Sequence, residues 1–115
     1  MQAVKKGKVI VMGNAVGIVE VYGLVAAFVA GDAGCKVANV TIESFDRNKP
    51  ANSDKLPVPL IVVVKFRGSV DAVKAAVDAA EAAANQVSGV IVKHVIAAPD
   101  EGIEKMLEIS GLDKN

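Results

Sequence analysis

Residues 60–86 read LIVVVKFRGSVDAVKAAVDAAEAAANQ, and the step from one periodicity to another inside this run decides the fold. Leu60 to Phe66 is almost continuously apolar and rich in β-branched residues, the pattern of a strand buried on both faces. Arg67-Gly68 ends it. Ser69 has the chemistry of an N-cap, because its hydroxyl can accept from an orphan amide of a first helical turn. The helix that follows, Val70 to Gln86, carries eight alanines between Ala72 and Ala84, with Val73, Val77 and Val87 at core spacing. A face so poor in bulk lets a neighbouring backbone come close.

Working outward, the segment upstream is polar from Asp46 to Lys55 and then reads Leu56-Pro57-Val58-Pro59. Its prolines make 46–59 the clearest loop in the chain. Before it, Val40-Thr41-Ile42 opens another strand. Leu24 to Val37 has helical rhythm, with Leu24, Val25, Phe28, Val29 and Ala33 on one face, and Asn39 closes it. Val16 to Tyr22 alternates and ends at Gly23, which reads as a strand. Downstream, Val90 to Ile96 is a β-branched strand, and Asp100 caps a short amphipathic helix containing Ile103, Met106 and Leu107. The order β-α-β-β-α-β defines an α+β, ferredoxin-like domain: a four-stranded antiparallel sheet with two helices on one face, plus a short C-terminal helix. Lys5 to Met12 reads as one extra N-terminal strand, so residues 1–15 are an extension and 16–115 the single domain.

Composition limits the function. Lys plus Arg and Asp plus Glu are 13 each, so no electrostatic footprint for nucleic acid or an anionic membrane exists. The apolar fraction is 52% with only 3% aromatic, more than one small core needs, which points to apolar surface covered between subunits. The single Cys35 excludes an internal disulfide and fits a reducing cytosol. No apolar run approaches the ~20 residues a bilayer requires. Lys5, Lys6 and Lys8 before Val9-Ile10-Val11-Met12 superficially resemble a signal peptide, but the apolar stretch is short and lacks a cleavage site, so it is expected to be retained.

Catalytic chemistry finds no foothold. His94, the only histidine, cannot form a His-based metal cluster and reads as structural. Glu101, Glu104 and Glu108, and likewise Asp71, Asp78 and Glu81 beside Lys74, are spaced as solvated helix faces. Gly13-Asn14-Ala15-Val16-Gly17 lacks the lysine and hydroxyl of a phosphate-binding loop and precedes a strand, not a helix. No enzyme and no cofactor is expected.

The segments Gly17-Ile18-Val19-Glu20-Val21-Tyr22-Gly23-Leu24-Val25-Ala26-Ala27, Asp32-Ala33-Gly34-Cys35-Lys36-Val37-Ala38-Asn39-Val40, Arg67-Gly68-Ser69-Val70-Asp71-Ala72-Val73 and Val92-Lys93-His94-Val95-Ile96 carry a resemblance. In order and spacing, from about Val16 to Leu107, the chain resembles the bacterial microcompartment shell family in its unpermuted form. The resemblance implies a cyclic homohexamer with a central pore that passes small metabolites. It also implies tiling with other shell proteins into the wall of an organelle in the bacterial cytoplasm. A closed ring needs two different complementary faces on each protomer. By the same resemblance Lys36 and Asn39 lie at the edge between hexamers, and Arg67 at a subunit interface.

Two departures stand out. Family members commonly carry a basic residue in the turn after the last strand, where this chain has Ala97-Ala98-Pro99-Asp100-Glu101. They also have a very short loop around the pore, where this chain has the long segment holding Asp46, Arg47, Asn48, Lys49, Asn52, Ser53, Asp54 and Lys55. Its charges sum to +1 per copy from Arg47, Lys49 and Lys55 against Asp46 and Asp54, so the loop is expected to narrow, cover or charge the pore. A regulatory ligand-binding module similar to the PII-type signalling proteins shares the topology and is the alternative reading. This chain lacks the glycine- and arginine-rich phosphate cradle such a module needs.

Overall fold

The computed structural model describes the backbone of residues 2–5, 8–11 and 14–110, and the side chains of 14–110. The strands are β1 (Gln2–Lys5), β2 (Lys8–Val11), β3 (Ala15–Tyr22), β4 (Thr41–Asn48), β5 (Ile61–Gly68) and β6 (Val90–Ile96). The helices are α1 (Leu24–Val37), α2 (Val70–Asn85) and α3 (Glu104–Glu108), the last entered through a 3-10 turn over Glu101–Ile103. β4, β5, β3 and β6 form, in that order, one antiparallel sheet. The ferredoxin-like arrangement read from the sequence is therefore the one observed.

Alternation along β3 sorts the sheet into two faces. Gly17, Val19 and Val21 face α1 and α2, and the core joins Val19, Val21, Val62, Val64 and Phe66 to the alanines of both helices. α1 lies over the β4–β5 side and α2 over β3 and β6. Ser69 caps α2 as expected, its Oγ accepting from the Ala72 amide at 3.2 Å.

α1 corrects one expectation. Its buried face is Ala26, Ala27, Ala30, Gly31 and Gly34, whereas Val25, Phe28 and Val29 point outward. The reason is distance. A Cβ on Gly34 would sit 2.5 Å from Cζ of Phe66 and one on Gly31 3.1 Å from Cζ of Phe45. The helix approaches the aromatic rings of the sheet so closely that only its smallest side chains fit beneath it. Val87 likewise lies outside the core, because α2 ends at Asn85.

Three other boundaries differ. β4 continues through Asp46, Arg47 and Asn48, which pair with Val63, Val62 and Ile61, so the connecting loop starts at Lys49. β5 offers a full-length partner, and the ladder claims polar residues that composition assigned to the loop. The remaining segment is folded into turns: Ser53–Lys55 is a 3-10 turn, and Ser53 donates from its amide to the Pro50 carbonyl at 3.0 Å. Finally, the N-terminal extension is a hairpin of two short strands forming a sheet of its own, not one strand over Lys5 to Met12. Lys6, Gly7, Met12 and Gly13 lie outside the described residues.

Gly34→Ala should lower stability by about 1–3 kcal/mol through overpacking against Phe66. It would be read as a lower urea midpoint at unchanged slope. An unchanged midpoint would contradict so close an approach of α1.

Candidate functional site

Sheet order places β4 and β6 at opposite edges, and both edges carry apolar surface. On the β4 side, α1 turns Val25 (67% exposed) and Phe28 (51% exposed) outward beside Val29. The Phe28 ring meets Phe45 of β4 edge to face, with centroids 5.3 Å apart. That geometry continues the helix flank onto the strand. On the β6 side, Ile91 and Val92 (53% exposed) stand out, with Val87 just before them. Neither outer edge has a strand partner among the described residues. Unpaired edges and contiguous apolar patches are what self-associating surfaces look like in one isolated copy.

A second feature is the loop end. Gly23, at φ 90°, turns the chain from β3 into α1 and donates its amide to the Leu60 carbonyl at 2.8 Å. Val58 lies against it, 3.3 Å from where a Cβ would be. The loop is thus fastened where α1 begins. Arg47, Asn48, Lys49, Asn52, Asp54 and Lys55 are exposed around this end, and Ser53 is half-buried. Asp46 stands apart from them: its carboxylate accepts from the Arg47 amide at 2.9 Å and lies 4.0 Å from Lys65. At the other end of α1, roughly 20 Å away by helix rise, Lys36 pairs with Asp32 at 2.7 Å, and Asn39 is exposed just beyond. The hydrogen bond and charge of Asp32 push the Lys36 pKa up, which keeps this outward-facing group cationic.

The outer sheet face holds polar contacts that sequence reasoning missed. Lys65, only 6% exposed, donates to three backbone carbonyls at the end of α3: Met106 at 3.1 Å, Leu107 at 3.4 Å and Ile109 at 3.0 Å. Ser44 Oγ donates to the Leu107 carbonyl at 2.8 Å. Arg67, expected at a subunit interface, is bound within its own chain. Its guanidinium pairs with Glu43 at 3.3 Å and with Glu104, and donates to the Asn14 carbonyl at 3.3 Å. A lysine interrupting Val62-Val63-Val64 and Phe66 was the available signal, since a buried charge requires partners. Burial pushes the Lys65 pKa down, opposed by Asp46 and then Glu43. The helix itself buries one apolar side chain, Leu107, contributing about 1.5–3 kcal/mol.

The remaining reactive groups lie apart. His94 is exposed and lines a shallow groove of about 350 Å³ with Lys74, Val77, Asp78, Lys93 and Val95. Lys93 is engaged there by Asp78 and Glu81, at 3.2 and 2.7 Å. Partial burial, then the charge of Asp32, pushes the Cys35 thiol up and away from a reactive thiolate. Among the described residues, no three His, Cys, Asp or Glu side chains are grouped to hold a metal ion. Among them, too, no helix is long and apolar enough to cross a membrane.

Comparison with known proteins converges. The family model described as BMC domain matches residues 15–99. The chain is 43% identical over 94 residues to the bacterial microcompartment shell protein PduA of Citrobacter freundii, covering 82% of this chain and 91% of that one. It is 36% identical over 100 residues to the carboxysome shell protein CcmK2 of Synechocystis, covering 85% and 88%. It is 38% identical over 96 residues to the microcompartment shell protein EutK of Salmonella typhimurium, covering 84% of this chain but 53% of that one. A crystal structure of a microcompartment protein from Desulfitobacterium hafniense shares the fold, with TM-score 0.64 at 21% identity over 84% of this chain and 49% of that one. The chain belongs to the BMC-domain family of bacterial microcompartment shell proteins.

Proposed function

We propose that this chain is a wall subunit of a bacterial microcompartment, which acts by joining copies of itself into a cyclic hexamer around an opening for small metabolites. One observation carries the reading: the two apolar flanks lie on opposite edges of the same sheet and differ in kind. One is a helix stripe with an aromatic pair; the other is an edge strand. Two unlike flanks can satisfy each other only head to tail, and head-to-tail contacts close into a ring when the rotation allows it. No catalytic step is assigned to the chain.

The loop end supports the position of the opening. Once Asp46 is turned toward Lys65, the exposed charges near the tip are Arg47, Lys49 and Lys55 against Asp54. Gathered around a symmetry axis, such tips form a ring that favours anionic metabolites. Lys36 and Asn39, at the far end of α1, then fall on the perimeter, where rings meet within a sheet. The turn after β6 has Pro99 buried and the acidic Asp100 and Glu101 exposed in place of a basic residue. Lateral contacts of this subunit therefore rely on Lys36 and on other shell proteins of the same wall.

In solution the protein should have roughly six times the 11.8 kDa chain mass. Phe28→Asp or Val92→Asp, each placing a charge on one flank, should release monomers that retain the native circular dichroism spectrum. A native mass unaffected by both substitutions would refute the flank assignment. Deleting Lys49 to Lys55, the part of the segment outside β4, should preserve the assembled mass and alter passage of small anions through reconstituted shells. Loss of assembly on that deletion would make the loop an interface and end its role at the opening.

A further inference from the structure

We propose that residues 100–110 form a latch on the outer face of the sheet that opens as a unit while the sheet, α1 and α2 stay folded, and that Arg67 couples its opening to release of the chain leading into β3. The argument begins with what holds the segment. α3 is five residues long, far too short to be helical alone. It buries Leu107 and leaves Met106 63% exposed and Ile109 37% exposed. Ile103, just before the helix, is half-buried, and the named contacts that fix the segment are polar: Asp100 capping the Gly102 amide at 2.8 Å, the Lys65 and Ser44 bonds to the last carbonyls, and the Arg67–Glu104 pair.

Polar fastenings behave differently from a core when a segment leaves. Water reaches Lys65, Ser44 and the freed carbonyls at once, so each group exchanges one partner for another and the net loss is small. The cluster that joins the helices to the sheet keeps its contacts, since Leu107, although buried, lies outside it. Opening therefore involves a small fraction of the interactions that global unfolding must break, the condition for a separate low-stability unit.

Arg67 supplies the coupling. One guanidinium holds Glu104 of α3, Glu43 of β4 and the Asn14 carbonyl ahead of β3. The matched family domain covers residues 15–99, so this arginine ties together the two segments that flank it in the chain. When Glu104 departs, the guanidinium loses the partner that orients it on that side, and its weaker, longer bond to Asn14 loosens.

Native-state hydrogen exchange on the full-length protein tests both parts. Amides of residues 102–108 should exchange at least ~100-fold faster than those in the middle of β3 and β5. Glu104→Gln, which keeps shape and removes the charge, should speed exchange in 102–108 and also at residues 14–16, leaving the middle of β5 unchanged. Exchange of 102–108 at the rate of the central strands would overturn the latch. Faster exchange in 102–108 with residues 14–16 unaltered would overturn the coupling. Leu107→Ala serves as a second variant: it should open the latch further without lowering protection in β3 and β5, and a drop there would show that α3 belongs to the core.

Discussion

The close approach of α1 to the sheet is the constraint on which the other features depend. Phe66 and Phe45 project toward the helix, and only glycine and alanine fit between the helix axis and those rings. Burial of small residues yields little apolar area per position, so tight contact replaces bulk as the source of cohesion on this side. The larger apolar residues of α1 are then left to face outward. A monomer gains nothing from that arrangement. A protein that meets its own copies gains an interface without further elements.

The two faces of the sheet are held by different chemistry. Beneath the helices the contacts are apolar, from Val19 and Val64 through the alanines of α2. On the outer face, Lys65 sits among strand residues and is balanced by carbonyl oxygens and by Asp46. A buried lysine in that position would be costly if α3 did not bring its carbonyl end to meet it. The favourable direction of the helix dipole adds to the match, since the negative end faces the ammonium group. One face is thus permanent, and the other is assembled from exchangeable polar bonds.

Much of the fold was legible because its signals are periodic. β5 and α2, with Ser69 between them, fall where the change from β-branched run to alanine-rich repeat places them. The orientation of α1 was not legible, because both of its faces are apolar and hydropathy cannot separate a small residue tucked inward from a valine turned outward. Size decided it, and size matters only once Phe66 is known to lie opposite. The end of β4 was hidden for a related reason: Asp46, Arg47 and Asn48 look like loop residues until β5 supplies backbone partners. At the candidate surfaces, Lys36 and Asn39 were named from family resemblance; Lys36 is exposed in the last turn of α1 and Asn39 is exposed just beyond it. Arg67 was assigned to a subunit interface by the same resemblance; its contacts within the chain, with Glu43 and Glu104, were not legible because those residues are distant in sequence and invisible to any local pattern.

The most direct test of the account asks which surfaces meet. In a Cys35→Ser background, copies carrying Phe28→Cys and copies carrying Val92→Cys would be made separately and together, then treated with a short bismaleimide linker. Head-to-tail contact between unlike flanks predicts linked dimers in the co-expressed sample and essentially none in either pure preparation. Linkage within a pure preparation, with none gained by co-expression, would mean that like flanks meet like, and a ring built from these two edges would be ruled out.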